Sequence, residues 1–171
     1  MTLPAAFRRQ WIASAISNIG DGMDAAAGPL LAATLTNDPR LIALVGVGAS
    51  LPWLVLTLPL GVVIDRLDRR TLMVRANWTR CLLFGLIALL SATGTMSIGF
   101  LVAIITLVGV CEVIFDMSAQ AFLPAIVPPG QLEKANGRLF ATEVICNTFL
   151  GLPLGAWAFV AAIGTPFAVN A

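Results

Sequence analysis

The chain has 171 residues, 58% of them hydrophobic and 11% charged, against about 45–50% apolar and about 25% charged residues in soluble domains, which sets it outside the range of an ordinary soluble fold. Ten Lys and Arg stand against nine Asp and Glu for a net charge of +1, too even for a nucleic-acid binder and too sparse for a polybasic membrane-surface protein. There is no His, so the usual general base and the commonest metal ligand are missing; no catalytic site, metal centre or bound cofactor is expected.

At about 20 apolar residues per bilayer crossing, five segments qualify as spans, at about residues 11–35, 41–64, 72–90, 98–123 and 139–163. Span one follows Arg8 and Arg9. The basic pair ahead of apolar residues is also how an export signal begins, but Asn18, Asp21 and Asp24 interrupt the stretch that would have to be apolar, which favours a retained span. Asp21 and Asp24 carry an insertion cost of about 5–7 kcal/mol together, at about 2.5–3.5 each. Such a helix turns these side chains into a bundle interior or a wet cavity, with Asn18 on nearly the same face. Either they form part of a substrate or proton pathway, or they bond backbone near Gly20, Gly22 and the Gly28-Pro29 bend.

Residues 36–40 form a turn-rich break before span two. At its far end comes the loop Gly61-Val-Val-Ile-Asp65-Arg66-Leu-Asp68-Arg69-Arg70. The Gly permits close helix contact, Asp65 can bond free N–H groups at a helix start, and the Arg cluster marks the cytoplasmic side. Span three carries Arg80 in its early part. Two readings stay open for it: a side chain snorkelling back to the headgroups, or a partner for a carboxylate inside the bundle. After a second break at residues 92–95, span four carries Glu112 and Asp116 at i, i+4 on one face, with Gln120 a turn further. Two acids so close should not both remain charged in a low dielectric, which is the property a proton carrier needs.

Residues 124–138 form the next separator. In span five Glu143, Asn147 and Gly151 recur every four residues; Gly151 and Gly155 make a small-xxx-small packing surface, and Pro153 between them should bend the helix. Residues 165–171 then look like the opening of a sixth span. Cys81, Cys111 and Cys146 lie in apolar runs at no metal or redox spacing and read as small core residues.

Nine of the ten basic residues fall on one side of these spans and only Arg40 on the other, which predicts a cytoplasmic N-terminus. The expected class is an all-α membrane protein, a helical bundle of five spans plus the start of a sixth.

The loop between spans two and three resembles the signature of the major facilitator superfamily of secondary transporters, Gly-x-x-x-Asp-Arg-x-Gly-Arg-Arg or Lys. Gly61, Asp65, Arg66, Arg69 and Arg70 match it, while Asp68 stands where many members have Gly. Asp65-Arg66-Leu67-Asp68-Arg69-Arg70 is similar to the version in a bacterial exporter subgroup that includes enterobactin and macrolide efflux proteins. Ser17-Asn18-Ile19-Gly20-Asp21, Phe122 to Pro128 with Leu132 and Ala135-Asn136, and Gly151-Leu-Pro153-Leu-Gly155 agree with that subgroup. The resemblance implies the N-terminal half of a major-facilitator-type fold in the cell membrane, bacterial inner membrane by the subgroup, with spans one and four lining a central cavity. It implies export of small organic molecules, of drug or siderophore type, against proton entry. The partners expected are the lipid bilayer, the small-molecule substrate, protons, and a missing C-terminal half or another polypeptide, with no nucleic acid. Because a carrier of this kind rocks two six-helix halves, the 171 residues alone are not expected to transport. A non-transporting membrane scaffold, its buried acids serving helix pairing, is the alternative.

Overall fold

In hydrocarbon every backbone N–H and C=O needs a partner within its own segment or a closed barrel, so a chain this apolar has to be helical through its spans. The computed structural model describes residues 3–64 and 66–171, and every regular element in them is a helix. The order is α1 (Ala5–Leu35), α2 (Pro39–Ile64), α3 (Arg69–Ala92), α4 (Ile98–Ile126), a 3-10 turn (Pro129–Gln131), α5 (Leu132–Glu143), a π-helical stretch (Val144–Gly151), α6 (Leu152–Ala161) and α7 (Thr165–Asn170).

Four of these stretches are long and apolar enough to cross a membrane: α2, α3, α4, and the run Pro129–Ala161. Of the five expected spans four meet this measure of length and apolar content, and the first does not. The exception is α1, whose 31 residues give about 46 Å at 1.5 Å per residue, ample for a core of about 30 Å. Length is not what it lacks. Arg8, Arg9, Asn18, Asp21 and Asp24 keep its apolar content down, so α1 depends on its neighbours to cover a polar centre. Outward-facing surfaces of the other helices are apolar instead, with Leu54 82%, Leu58 85% and Val160 85% exposed, as lipid contact requires.

Helix α4 is the central element, packing against both α2 and α3, while α1 packs on the π-helical stretch and α6. One buried cluster joins Ala27 and Leu31 of α1, Phe84 and Ile87 of α3, Leu101 and Ile104 of α4, and Phe167 of α7. A smaller one gathers Leu3 and Phe7, Leu123 and Val127, and Ala135 at the opposite end. That second cluster explains a difference from the expected separator at residues 124–138. Pro124 lies inside α4, where its missing N–H deprives only a carbonyl one turn back, close to the helix end. The chain is helical again from Leu132 because Leu132, Ala135 and Leu139, spaced three and four apart, reach the same apolar cluster.

Of residues 165–171, expected to open a sixth span, Thr165–Asn170 form the short helix α7. It turns in against α1 and α3, with Phe167 fully buried and its ring 6.4 Å from that of Phe84. Of the cysteines, Cys111 and Cys146 are buried, whereas Cys81 is half-buried and donates its thiol to the Ala171 carbonyl.

Helix α1 meets the fifth helical run backbone to backbone. A Cβ on Gly151 would stand 2.7 Å from both the Gly22 Cα and the Ile19 carbonyl oxygen, one on Gly155 would meet the Met23 backbone, and one on Gly22 would meet the Asn147 carbonyl. The irregularity of the run lies beside this seam. Pro153 has no N–H to give the carbonyl four residues back, and the ladder ahead of it is π-helical, with the Leu152 N–H reaching the Asn147 carbonyl. Gly151→Ala is therefore expected to destabilise the bundle by about 1–3 kcal/mol through overpacking. Gly137→Ala, where an added Cβ meets nothing within 4 Å, should be neutral or stabilising by up to about 1 kcal/mol. Thermal unfolding of the two variants in one detergent checks the contrast.

Candidate functional site

Asp21, Asp24 and Gly28 follow one another at three- and four-residue spacing, so α1 presents all three on one face. That face closes one side of a cavity of about 270 Å³ whose other walls come from α2, α3, α4 and the π-helical stretch. Asp21, Asp24, Arg80, Glu112, Ser50 and Asn147 supply its polar lining, and Val45, Phe84, Ile105 and Val108 much of the apolar remainder.

Arg80 does not snorkel. Its side chain is 6% exposed and pairs with Asp21 as hydrogen bond and ion pair, while its guanidinium carbon lies 5.8 Å over the Phe84 ring. Buried charge in a bundle interior demands a partner of opposite sign, and Asp21 sits at the depth at which Arg80 leaves α3. Asp24, 8% exposed, takes a hydrogen bond on Oδ2 from the Asn170 amide of α7, and its Oδ1 has no partner among the described residues. Gly20 gives the Asn170 amide room, since a Cβ there would run into it.

Glu112 lines the cavity and forms no hydrogen bond or ion pair among the described residues. Asn18 and Asp116 do not reach the lining. Asn18 instead turns back along α1, donating to the Ser14 carbonyl at 2.8 Å and its hydroxyl at 3.1 Å. Asp116 is half-buried a turn further along α4, and no ion pair joins it to Lys134 or Arg138. Arg138 rests over the Trp11 ring at 5.8 Å, and the Trp11 indole donates to the Thr142 hydroxyl. In the expected stripe of span five, Gly151 is buried and Asn147 half-buried on the cavity, but Glu143 is exposed.

At the other end of α2, Asp65 lies outside the described residues. Gly61 comes within 3.5 Å of the Met117 methyl at the position a Cβ would take, and Arg69 donates to the Ala121 carbonyl of α4 at 2.8 Å. Arg66 and Arg70 are exposed. Asp68 caps α3, accepting from the Thr71 hydroxyl and from its N–H at 2.9 Å. Those bonds, the hydroxyl's foremost, hold its carboxyl below the usual carboxylate range, and they give the residue a structural reason to be Asp at a position where many members of the resembled family have Gly. Asn170 escapes a reading of the chain alone, whereas for Arg80 that reading left the carboxylate partner open beside snorkelling. Arg80 carried a signal, a cation in an apolar run at the depth of the acids; Asn170 carried none.

A helical bundle with several stretches apolar enough to cross a membrane and a cavity with charged lining among its helices defines a multi-pass membrane protein. The chain belongs to the transmembrane secretion effector family, whose model matches residues 3–167, and is thus a transporter of the major facilitator type. It matches no curated protein and no solved structure.

Arg80→Ala should destabilise the bundle by about 3–5 kcal/mol, because it strands the Asp21 carboxylate in the interior. The pair Asp21→Leu with Arg80→Met, which removes both charges, should regain most of that loss. Chemical or thermal unfolding in detergent measures both.

Proposed function

We propose that this protein exports small organic molecules, of drug or siderophore type, in exchange for protons, in the manner of the exporter subgroup that includes enterobactin and macrolide efflux proteins. The observation that carries the reading is the meeting of Asp21, Asp24 and Glu112 with Arg80 on one cavity between α1 and α4. Acids at mid-depth that lack a fixed counter-ion can take and release a proton as the cavity opens to either side, and intramembrane acids characteristically mark such pathways. Asn18 and Asp116, a turn away from the cavity on the same two helices, extend the proposed proton route.

In this reading the bundle sits in the cell membrane of a bacterium with its N-terminus in the cytoplasm, on the side of nine of the ten basic residues. It works with a second helical half, since alternating access rocks two halves about a midplane site. The Gly61 to Arg70 loop then acts as a latch of one conformational state: Arg69 holds the end of α4 through the Ala121 carbonyl, far from the cavity. Gly151, Pro153 and Gly155 supply the packing seam and the bend along which α1 and the fifth run meet.

Two measurements test the proposal. In cells expressing the gene, Glu112→Gln should abolish gradient-driven efflux while the protein still inserts; undiminished proton-coupled efflux would reject the assignment. Single cysteines at positions 38 and 68, in a background without native thiols, should be labelled by impermeant reagent from outside at 38 and not at 68; the reverse pattern would invert the topology.

A further inference from the structure

Four charged side chains line the cavity, three of them acids. Their hydrogen bonds divide them unevenly. Arg80 gives its ion pair to Asp21 and lays its guanidinium on Phe84, so the one cation of the lining is already engaged. Asp24 has one oxygen held by Asn170 and the other, Oδ1, buried with no partner among the described residues. Glu112 faces the same space, with neither hydrogen bond nor ion pair among the described residues. Burying such groups without partners costs several kcal/mol each, and a positive charge in the adjoining cavity would offset that cost for both acids at once. A bound anion finds the opposite field: three carboxylates share the lining, and the guanidinium of Arg80 is already paired with one of them, Asp21.

We infer that the occupant of this cavity is a small organic cation, an ammonium or quaternary nitrogen on an apolar body, held between Asp24 and Glu112 while the Asp21–Arg80 pair stays closed. The inference rests on the reading of this cavity as the transport site, and it selects the amine-bearing class over the acidic siderophore class. Pro29, Val45, Ile105 and Val108 receive the apolar body. At about 270 Å³ the space lies near the lower end of the roughly 300–1,000 Å³ of small-molecule sites, which restricts the occupant to a compact molecule. Asn170 is a positioning residue: it holds one oxygen of Asp24 and so orients the other.

The test is calorimetric titration of the 171-residue chain in neutral detergent with benzyltrimethylammonium and with benzylsulfonate, which share a body and differ in the sign of the charge. The cation should bind saturably and at least about tenfold tighter than the anion. Asp24→Asn and Glu112→Gln should each weaken the cation about tenfold or more, Asn170→Ala should weaken it less, and Asp38→Asn, on the exposed turn before α2, should leave it unchanged. Both cavity variants keep side-chain shape, and retained helicity by circular dichroism establishes that they are folded. Equal or tighter binding of the anion, no saturable binding of the cation by folded protein, or cation binding indifferent to both cavity variants would each overturn the inference. Because binding is read without a gradient, it separates from the transport proposal: cation binding with no proton-coupled efflux would reject export and leave this site standing, whereas intact efflux with no cation binding would reject this site alone.

Discussion

A guanidinium and a carboxylate held together in a medium that cannot solvate either one set the terms for the rest of this bundle. Arg80 is buried and Asp21 largely so, on separate helices α3 and α1, and neither charge is tolerable in the bundle interior alone. Their pairing ties α1 to α3 at mid-depth. It also explains how a helix too polar to enter lipid by composition can stand among four that are apolar enough. The acids beside the pair, Asp24 and Glu112, share the cavity but form no ion pair with Arg80 among the described residues, and the surplus of acids over bases in the lining follows from that uneven division.

The position of α1 has a second cause, and it is steric. Gly22, Gly151 and Gly155 let two backbones approach at distances no side chain would permit, which compensates for the scarcity of large apolar side chains on the inner face of α1. The same closeness carries Asn147 to the cavity wall. Pro153 and the π-helical stretch before it belong to this arrangement, because a ladder already lacking one donor adapts its register more readily than a regular α-helix does. Packing and polar chemistry are therefore not separate layers here: the glycine seam sets the depth and rotation of α1, and these set which of its polar residues meet the cavity.

Family membership and the cavity answer different questions. The match over residues 3–167 makes the chain a transporter of the secretion type, a statement about the whole bundle that names no passenger. The cavity bears on the passenger through the sign and spacing of a few groups. Function is decided in such a site rather than by the fold that hosts it, and the two lines of argument can fail separately.

Much of the architecture could be read along the chain because it depends on local properties. Composition set the chain outside the ordinary soluble range, hydropathy marked apolar runs that coincide with α2, α3, α4 and much of the run Pro129–Ala161, and the Gly61 to Arg70 spacing pointed to the superfamily. Asp21, Asp24 and Glu112 stood out because an acid in an apolar run is costly wherever it ends up. What sequence spacing could not supply was the rotation and relative depth of helices far apart in the chain. Asn18 shares a face with Asp21 by periodicity, yet Ser14 one turn away satisfies its amide; Arg80 could equally have reached for the headgroups, and only its approach to Asp21 across 59 residues decided otherwise. Asn170, 146 residues from Asp24, had no local mark at all. Periodicity determines which residues share a helix face, whereas the tertiary packing of α1 against α3, α4 and α7 determines what that face meets.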